Sequence, residues 1–481
     1  MHFELPLVID ARERSTASAG RIELIDPDTE QPWAEVPAAG TAELDEALCA
    51  ADRAFRQAAW AHVPAAERSD ALRRIADAIR SAADELARLE ARNVGKPIGD
   101  ARWEVEAGAR CFDYYAGILP AFGGQTIPVR GGGFDYTLHV PVGVVAAIVP
   151  WNFPFLMACW KVAPALAAGC AVLLKPASLT PLSALRLGQI GIEAGLPAGI
   201  LQVLAGRSRD IGDALVTHPL VRKIAFTGET ATGARIVSQA AGDIKRVSLE
   251  LGGKSPNIVF ADADLDAAAA AAPMCVFGNA GQDCCARSRV LVEATVYDRF
   301  LEAFVAATRA LRIGPPLEEA TQVGPLVSAD QRATVERYLA LAREEGGRIV
   351  TGGARPRERG YYLEPAIVDA LASSARTCQE EIFGPVASVL PFRDEREALE
   401  LANDTVYGLS ASLWTRDLER ALRLARHVEA GVMSVNTNSS VYQEAPFGGF
   451  KQSGLGRELG LDALRLYSEI KNVFIRVPES C

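Results

Sequence analysis

The chain has 481 residues, of which 49% are hydrophobic, and its 60 acidic and 50 basic side chains give a net charge of -10. This length and composition exclude a fibrous or disordered chain and predict two or three packed domains. The acidic balance, without any basic tract, disfavours nucleic acid and anionic membranes as partners.

The N-terminal part of the chain, over residues 41–115, is predicted to be mainly helical. Apolar residues recur at helical spacing in EALCAADRAFRQAAW and again in DALRRIADAIRSAADELARLEARNVGKP. Gly95 and Pro97 are expected to end the second helix. The opening stretch, MHFELPLVIDARERS, lacks a basic segment followed by an apolar run, so no signal peptide is expected.

A glycine-rich stretch between Gly123 and Gly133 leads into FDYTLHV. This pattern predicts extended strands that leave the main body of the protein. The apolar segment that follows, HVPVGVVAAIVPWNFPFLMACW, is interrupted by three prolines, Pro141, Pro150 and Pro154. It is therefore predicted to hold a buried strand and a loop rather than a membrane span.

From residue 140 onward, short apolar strands alternate with helical segments. VGVVAAIVP, CAVLLKP, ILQVLAG and VRKIAFTG are the strands of the first alternating region, and a second region begins near residue 253 with PNIVF. Such alternation predicts a parallel, doubly wound α/β sheet. The tail LRLYSEIKNVFIRV is predicted to end as a strand that pairs with the glycine-flanked excursion or with another subunit.

The cysteines point to a reducing environment. The chain has an odd number of them and no C-x-x-C pair, which disfavours a zinc site or a thioredoxin-like motif, so no metal site is predicted. Reduced, mostly buried thiols in a cytoplasmic protein are expected. The nine cysteines are Cys49, Cys111, Cys159, Cys170, Cys275, Cys284, Cys285, Cys378 and Cys481.

Four short segments carry side chains suited to chemistry, and each has an ordinary alternative. FTGETATG is a glycine-bearing turn that suits a phosphate or is a plain connection. Lys175 ends a strand, where open α/β sheets bind ligands, or is a solvated lysine. In FGNAGQDCCA, Cys284 or Cys285 is a reactive thiol, or both are buried apolar groups. Glu250 faces a cleft as an acid or lies at a strand edge.

Taken together, seven motifs identify a family. They are PWNFP, KPAS, FTGETATG, LELGGKSP, FGNAGQDCCA, EEIFGPV and PFGGFKQSG. In this order they resemble the aldehyde dehydrogenase superfamily over nearly the whole chain. LELGGK and the G-Q-x-C element are the most specific, and the spacing from Glu250 to Cys284 fits the family.

The resemblance implies two doubly wound Rossmann-like α/β domains and a small β element for oligomerisation. A homodimer or homotetramer is expected, because the family assembles through such exposed strands. Arg246, Arg457 and Glu469 are expected to form a charge cluster that ties the tail to the cofactor domain. The implied division is 1–122 and 142–252 for cofactor binding, 253–452 for catalysis, and 123–141 with 465–481 for oligomerisation.

The resemblance also implies the roles of the catalytic residues. Cys284 would attack the aldehyde carbonyl, and the Asn152 amide with the Cys284 backbone N–H would hold the resulting oxyanion. Glu250 would activate the water that hydrolyses the thioester. Lys175 is included in the catalytic set and would also contact the adenosine ribose.

The cofactor is expected to be NAD or NADP, with NAD slightly favoured. Ser178 stands where many NAD-preferring members have glutamate, so nothing repels a 2′-phosphate. Glu229 stands where serine is common, and no contact is assigned to it. The implied cofactor-binding residues are Trp151, Lys175, Ser178, Thr227, Gly228, Gly233, Leu251, Glu381 and Phe383.

The implied substrate pocket is lined by aromatic side chains and a flexible methionine, which suits a medium-sized aldehyde. Asp283 directly precedes the nucleophile, where its carboxylate could meet the cationic end of an aminoaldehyde or be solvated. The pocket residues are Phe153, Met157, Trp160, Asp283, Cys285 and Phe447; the aromatic and apolar members also suit an ordinary core.

Two alternatives to hydrolytic aldehyde oxidation remain open at this point. The first is a semialdehyde dehydrogenase that transfers the acyl group to coenzyme A, but such relatives usually lack the glutamate found at Glu250. The second is a catalytically idle binding or structural protein on the same scaffold. Such a protein would be expected to have lost Cys284, Asn152 or Glu250, and all three are present.

Overall fold

A computed structural model describes residues 3–57, 60–130, 132–439 and 441–476. Gly131 and residues 477–481 of the predicted oligomerisation element, with Cys481, lie outside the described residues. The strands are β1 Phe3–Glu4, β2 Leu7–Ile9, β3 Arg12–Arg14, β4 Arg21–Asp26, β5 Gln31–Pro37, β6 Thr126–Ile127, β7 Phe134–Pro141, β8 Val144–Ile148, β9 Ala171–Lys175, β10 Leu201–Val203, β11 Val221–Thr227, β12 Arg246–Glu250, β13 Pro256–Val259, β14 Arg289–Glu293, β15 Arg348–Thr351, β16 Ala366–Asp369, β17 Val386–Phe392, β18 Ser410–Trp414, β19 Val432–Val435, β20 Gly454–Leu455 and β21 Ser468–Ile475. The α-helices are α1 Thr41–Arg56, α2 Ala65–Ser81, α3 Ala83–Val94, α4 Ile98–Ile118, α5 Pro154–Ala168, α6 Leu182–Glu193, α7 Asp213–Thr217, α8 Thr230–Ala240, α9 Leu265–Phe277, α10 Tyr297–Arg309, α11 Ala329–Glu344, α12 Arg376–Gln379, α13 Glu395–Asn403, α14 Leu418–His427 and α15 Gly460–Leu466.

The first large sheet has eight strands in the order β20-β12-β11-β8-β9-β10-β2-β3. The five strands from β12 to β10 are mutually parallel, and β20, β2 and β3 extend the sheet with antiparallel pairs. Helices α1, α5 and α6 pack on it. Every residue of β9 is buried, which explains why such strands are continuous apolar runs in the sequence.

The second large sheet has seven strands in the order β15-β16-β17-β14-β13-β18-β19. All neighbouring pairs are parallel except β15 with β16. Two hydrophobic clusters pack around this sheet: one includes Ile258 and Leu413, the other Phe277 and Phe304. The strand–helix alternation read from the sequence after residues 140 and 253 is thus present as two separate parallel sheets.

The long helix predicted to run up to Gly95 is wrong in one respect, because it is two helices. Helix α2 ends at Ser81 and α3 begins at Ala83. Ala82 between them is no helix breaker by composition. Both α2 and α3 pack against α4 and α6, so tertiary packing on each side of Ala82, and not a local breaker residue, accommodates the break. Five further helices, α11 to α15, were not anticipated from the sequence.

The C-terminal strand β21 pairs with β7, the strand that follows the glycine-rich stretch. The pairing is antiparallel and runs from Ser468 opposite Pro141 to Ile475 opposite Phe134. The predicted pairing of the tail with the earlier excursion is therefore confirmed within one chain. A short strand, β6, completes this three-stranded sheet on the other side of β7.

The predicted charge cluster at the tail forms only in part. The Arg246 Nε lies 2.8 Å from the Glu469 Oε1. Arg457 does not join this pair, because its guanidinium donates to the backbone carbonyls of Gly449 and Gly456. The tail is thus tied to β12 by one exposed ion pair, which stabilises little by itself.

The two large sheets meet in a defined way. The loops that leave the carboxyl ends of β8, β9, β11 and β12 face the loops that enter the amino ends of β14 and β17. The site therefore lies between the carboxyl ends of strands of the first sheet, as expected for open α/β sheets, and the amino ends of two strands of the second sheet. In the described ranges, no helix is both long and apolar enough to span a lipid bilayer.

Candidate active site

A cavity of ≈ 630 Å³ lies between the two sheets. It brings together nearly all of the residues singled out from the sequence. Those that line it are Trp151, Asn152, Phe153, Met157, Trp160, Lys175, Thr227, Gly228, Glu250, Leu251, Asp283, Cys284, Cys285, Glu381, Phe383 and Phe447. Ser178 and Gly233 do not belong to the lining: Ser178 lies in the turn beyond Ala177, and Gly233 packs beneath the side chain of Leu251.

The cysteine loop follows α9 and has a constrained backbone. Asn279 and Ala280 have positive φ angles of 51° and 56°. Non-glycine residues occupy this region at a cost, which the surrounding structure must offset. The Gln282 side chain contributes, because its Nε2 donates to the Asn279 carbonyl and its Oε1 accepts the Val327 N–H. The loop thereby holds Cys284 at the cavity wall.

Asn152 is bonded directly to this loop. Its Nδ2 donates to the Gln282 carbonyl at 2.9 Å, and the Asn279 Nδ2 donates to the Asn152 carbonyl at 3.0 Å. One of the two Asn152 amide hydrogens is thus left over, and the Cys284 backbone N–H has no partner among the described residues. Two unengaged donors beside one thiol form an arrangement that can hold an oxyanion.

Glu250 ends β12 and its side chain is almost fully buried, with 4% exposure. Its Oε2 has no hydrogen-bond partner in the described part of the chain. Burial raises the pKa of this carboxyl well above its ordinary value, and the negative charge of Glu458 raises it further. A carboxyl whose pKa moves upward from the acid range is suited to proton transfer near neutral pH.

The two glycines after Glu250 let other parts of the site approach the backbone closely. A Cβ at Gly252 would overlap the Glu381 carboxylate, and one at Gly253 would overlap the Cys284 carbonyl oxygen. The Gly253 N–H also donates to the Glu381 Oε1 at 2.9 Å. The motif LELGGK therefore joins the acid, the cysteine loop and Glu381, which explains why it is so specific.

Lys161 and Glu458 form a buried ion pair below Glu250 that sequence reasoning missed. The Lys161 Nζ contacts the Glu458 Oε1 and also donates to the Thr227 Oγ1 at 2.7 Å. Lys161 was detectable as a single charge in the apolar segment LMACWKVAPALAAG, but nothing in the sequence indicated its partner. The pair matters because Glu458 and Lys161 act with opposite sign on the pKa of Glu250.

The cofactor end of the cavity offers several unengaged polar groups. The Lys175 Nζ has one weak contact, 3.4 Å to the Pro176 carbonyl, and burial lowers its pKa to about 8. The N–H groups of Thr230, Ala231 and Thr232 at the start of α8 have no partner among the described residues. A helix N-terminus of this kind suits a phosphate group.

Glu229 is exposed at the rim, so its carboxylate is free to stay in solvent.

Gly228 and Gly233 do not supply free donors to this end. The Gly228 N–H donates to the Glu250 carbonyl at 3.0 Å, and the Gly233 N–H donates to the Glu229 carbonyl at 3.0 Å. A Cβ at Gly233 would meet the Leu251 side chain at 2.6 Å. Their part is to shape the turn and to let Leu251 pack against α8.

The far wall at this end is formed by Glu381 and Phe383. Burial raises the pKa of Glu381 to about 7. Phe383 has a positive φ of 56°, and the Gln331 Nε2 donates to its carbonyl at 2.7 Å. The Phe383 ring meets Trp151 edge-on, with 5.1 Å between centroids. Gln331 lies on the unpredicted helix α11, and no sequence motif singled it out.

The substrate end is aromatic. Trp160 and Phe447 meet edge-on with centroids 5.1 Å apart, and the Lys96 ammonium lies 4.3 Å from the Phe153 ring centroid. Trp103 is half-exposed and also borders the cavity. Asp283 is turned toward the cysteine pair, because its Oδ1 accepts the Cys285 N–H at 2.8 Å. The loop therefore holds one oxygen of this carboxyl, and the side chain still borders the cavity.

Comparisons with known proteins agree with this geometry. The sequence model of the aldehyde dehydrogenase family matches residues 14–473. The chain belongs to the aldehyde dehydrogenase family. The fold class, the enzyme class, the oxidation of an aldehyde and the use of a nicotinamide coenzyme, all predicted from the sequence, are thereby confirmed.

Three relatives show how far the similarity extends. Betaine aldehyde dehydrogenase 1 of Oryza sativa subsp. japonica is 43% identical over 478 residues, covering 97% of this chain and 94% of the relative. Aminoaldehyde dehydrogenase 2 of Malus domestica is 42% identical over 485 residues, covering 98% and 96%. The solved structure of a cysteine-to-alanine mutant of P. syringae indole-3-acetaldehyde dehydrogenase, in complex with NAD+ and IAA, is 41% identical with a TM-score of 0.97, covering 99% of this chain and 97% of that one.

Proposed function

We propose that this aldehyde dehydrogenase releases a free carboxylic acid, with Cys284 as nucleophile, Asn152 as oxyanion donor and Glu250 as general base. The observation that carries the proposal is the meeting of these three side chains, from three different elements, in one cavity. The catalytic roles of Cys284, Asn152 and Glu250 rest on this arrangement together with the family assignment.

The Cys284 thiol loses its proton to solvent, and the thiolate sulfur attacks the aldehyde carbon. The reaction converts the carbonyl oxygen into an oxyanion on a thiohemiacetal. The Cys284 N–H and the spare Asn152 amide hydrogen are the donors for that oxygen, since neither has another partner. One donor of this kind is typically worth about 3 kcal/mol of barrier. Because the loop is already locked, little reorganisation accompanies the reaction.

Bound NAD(P)+ would supply the hydride acceptor, and the oxidised acyl group would then remain on Cys284 as a thioester. The groups suited to hold the coenzyme are the Lys175 ammonium, the Glu381 carboxylate and the first N–H groups of α8. The edge-on pair of Trp151 and Phe383 suits the nicotinamide end. We favour NAD+ over NADP+, because the similar P. syringae enzyme is in complex with NAD+. Ser178, however, places no negative charge against the 2′-phosphate of NADP+.

Release of the product assigns a role to Glu250. Its carboxylate takes a proton from water as the water oxygen attacks the thioester carbonyl, and it then returns that proton to the departing Cys284 sulfur. The buried, unpartnered Oε2 supports this role. The same residue argues against transfer to coenzyme A, because a base that activates water would hydrolyse the thioester that coenzyme A needs to attack. A coenzyme A-dependent reaction would be supported only by product that forms with coenzyme A and not without it.

For the substrate we propose an aldehyde with a cationic end, an aminoaldehyde or a quaternary ammonium aldehyde. The names of the rice and apple relatives support this class. Phe153, Trp160 and Phe447 offer aromatic faces and edges, and aromatic faces attract such cations. Asp283 contributes charge close to the nucleophile but is bonded to the loop. No preference for 4-aminobutyraldehyde over butyraldehyde, in the parent or in Asp283→Ala, would contradict this substrate class.

We also propose a homodimer or homotetramer built on the β7–β21 sheet, in the cytoplasm. Phe134 and Leu138 are exposed on one face of this sheet, and Ile470 and Phe474 on the other, so each face presents apolar side chains that an assembly would cover. The eight cysteines in the described part of the chain are all free, which suits a reducing compartment. Light scattering coupled to size exclusion should show at least two chains per particle; a monomer would contradict the assembly.

The proposed reaction is tested by measuring NADH and NADPH formation with aliphatic, aromatic, amino- and carboxy-aldehydes in the absence of coenzyme A. Carboxylic acid should appear in equal amount to the reduced coenzyme. Cys284→Ala should abolish both, while Cys275→Ala, a thiol outside the cavity, should keep them. Reduced coenzyme without free acid, or full activity in Cys284→Ala, would refute the proposal.

A further inference from the structure

Three consecutive side chains at the centre of the cavity have the composition of a metal site. The Cys284 Sγ, the Cys285 Sγ and a carboxylate oxygen of Asp283 all lie within 4.8 Å of one another. In the part of the chain that the structure describes, no other three or more histidine, cysteine or acidic side chains converge in this way. All three residues line the cavity, so a dissolved ion can reach them.

The backbone explains why neighbouring side chains converge. The Cys285 N–H donates to the Asp283 Oδ1 at 2.8 Å, and the Ala286 N–H donates to the Asp283 carbonyl at 3.0 Å. This tight turn places side chains that would diverge along a strand around a common point. One carboxylate oxygen of Asp283 lies within 4.8 Å of both sulfurs.

The surroundings favour a cation at this point. The carboxyls of Asp283, Glu250 and Glu381 line the same cavity as the two thiols. A divalent cation would offset these negative charges and stabilise the thiolates that bind it.

We propose that Cys284, Cys285 and Asp283 form a binding site for a soft divalent cation of the Zn²⁺ or Cd²⁺ type. The occupied site blocks the thiol that attacks the aldehyde, so the ion acts as a reversible inhibitor. Thiolates select such ions, and a solvent molecule can fill the fourth position.

The binding step balances without any oxidation or reduction. Two thiols bind one divalent cation as thiolates and release two protons to solvent. A zinc–sulfur bond is about 2.3 Å, so two sulfurs on one ion lie at most about 4.6 Å apart. The present spread of up to 4.8 Å therefore requires only a small side-chain movement. The inference goes beyond the proposed reaction, because binding is measured without turnover.

The first test is titration of the reduced, chelator-free protein with CdCl₂, followed by the ultraviolet thiolate-to-cadmium band. Proton release is measured by calorimetry in two buffers of different ionisation enthalpy. We expect a cavity site that binds one ion and releases about two protons. Cys285→Ser should weaken it at least about 100-fold and Asp283→Asn about tenfold, since even supporting groups around a metal are worth about 10- to 100-fold.

Cys275→Ser is the matched control, because Cys275 is a nearby thiol on α9 that does not line the cavity. It should bind Cd²⁺ as the parent does. Parent-like affinity in both Cys285→Ser and Asp283→Asn would overturn the proposal. So would an equal loss in Cys275→Ser.

A second measurement uses only the parent chain and therefore does not depend on the folding of a variant. Bound Cd²⁺ should protect both Cys284 and Cys285 from alkylation by iodoacetamide, as read by tandem mass spectrometry, while the exposed Cys49 is still labelled. A chelator should restore labelling. Protection of Cys284 alone, or of neither cysteine, would overturn a site shared by the two thiols.

Discussion

The two ends of the cavity are prepared in different ways. At the catalytic end, Asn152, Asn279 and Gln282 bond to one another, and the cysteine loop is fixed before any ligand arrives. At the cofactor end, the Lys175 ammonium and the first N–H groups of α8 have few or no partners. The protein thus completes one end by itself and leaves the other to be completed by the coenzyme.

The largest effect is expected from a substitution at the catalytic end. Asn152→Ala should lower kcat by about 10²- to 10³-fold, because it removes one oxyanion donor. Coenzyme affinity should change little. Steady-state kinetics with a coenzyme-binding titration measures both. Asn403→Ala, which removes an exposed amide bonded to the His427 carbonyl, is the matched control and should keep parent kcat. A loss below tenfold in Asn152→Ala would show that Asn152 is not a donor.

A change at the cofactor end should instead alter affinity. Glu381→Gln should weaken coenzyme binding by about 10- to 100-fold, since a hydrogen bond to a charged group is worth about 1.5–3 kcal/mol. The parent should also bind coenzyme less well as pH falls through about 7, where Glu381 takes up its proton. This pH dependence should vanish in the variant. Glu380→Gln, whose side chain contacts Arg376 and Tyr338, should keep it.

Much of the fold and of the cavity lining could be predicted from the sequence. Buried parallel strands are continuous apolar runs, and the seven motifs contain most of the residues that line the cavity. The break at Ala82 could not be predicted, because the packing of α2 and α3, and not a local breaker residue, accommodates it. The bonds from Glu458 to Lys161 and from Gln331 to Phe383 join distant positions, and a single sequence does not reveal such pairs.

A substitution at Ser178 tests the cofactor end through the preference for NAD+ over NADP+. Ser178→Glu should raise the preference for NAD+ over NADP+ by about tenfold or more, because two like charges repel strongly near a protein surface. The ratio of kcat/KM for the two coenzymes measures the change. Ser178→Gln has the same length without the charge and should leave the ratio nearly unchanged. An equal change in both variants would assign the effect to size rather than charge.

The smallest expected effect concerns the pair below Glu250. Glu458→Gln removes a negative charge that raises the pKa of Glu250, and this charge outweighs the opposite effect of Lys161. The Glu250 carboxylate should therefore persist to lower pH, so the acid limb of the kcat profile should move to lower pH. An unmoved or upward-shifted acid limb would show that Glu250 is not the group that titrates there.

The central claim is that an acyl thioester forms on Cys284 and is hydrolysed through Glu250. The most direct test is Glu250→Gln under rapid mixing with NAD+ and the best aldehyde substrate. We expect a burst of about one NADH per active site, followed by turnover slowed at least about 100-fold. Mass spectrometry should then place the acyl group on Cys284. Parent-level turnover without a burst, or an acyl group on Cys285, would contradict the account.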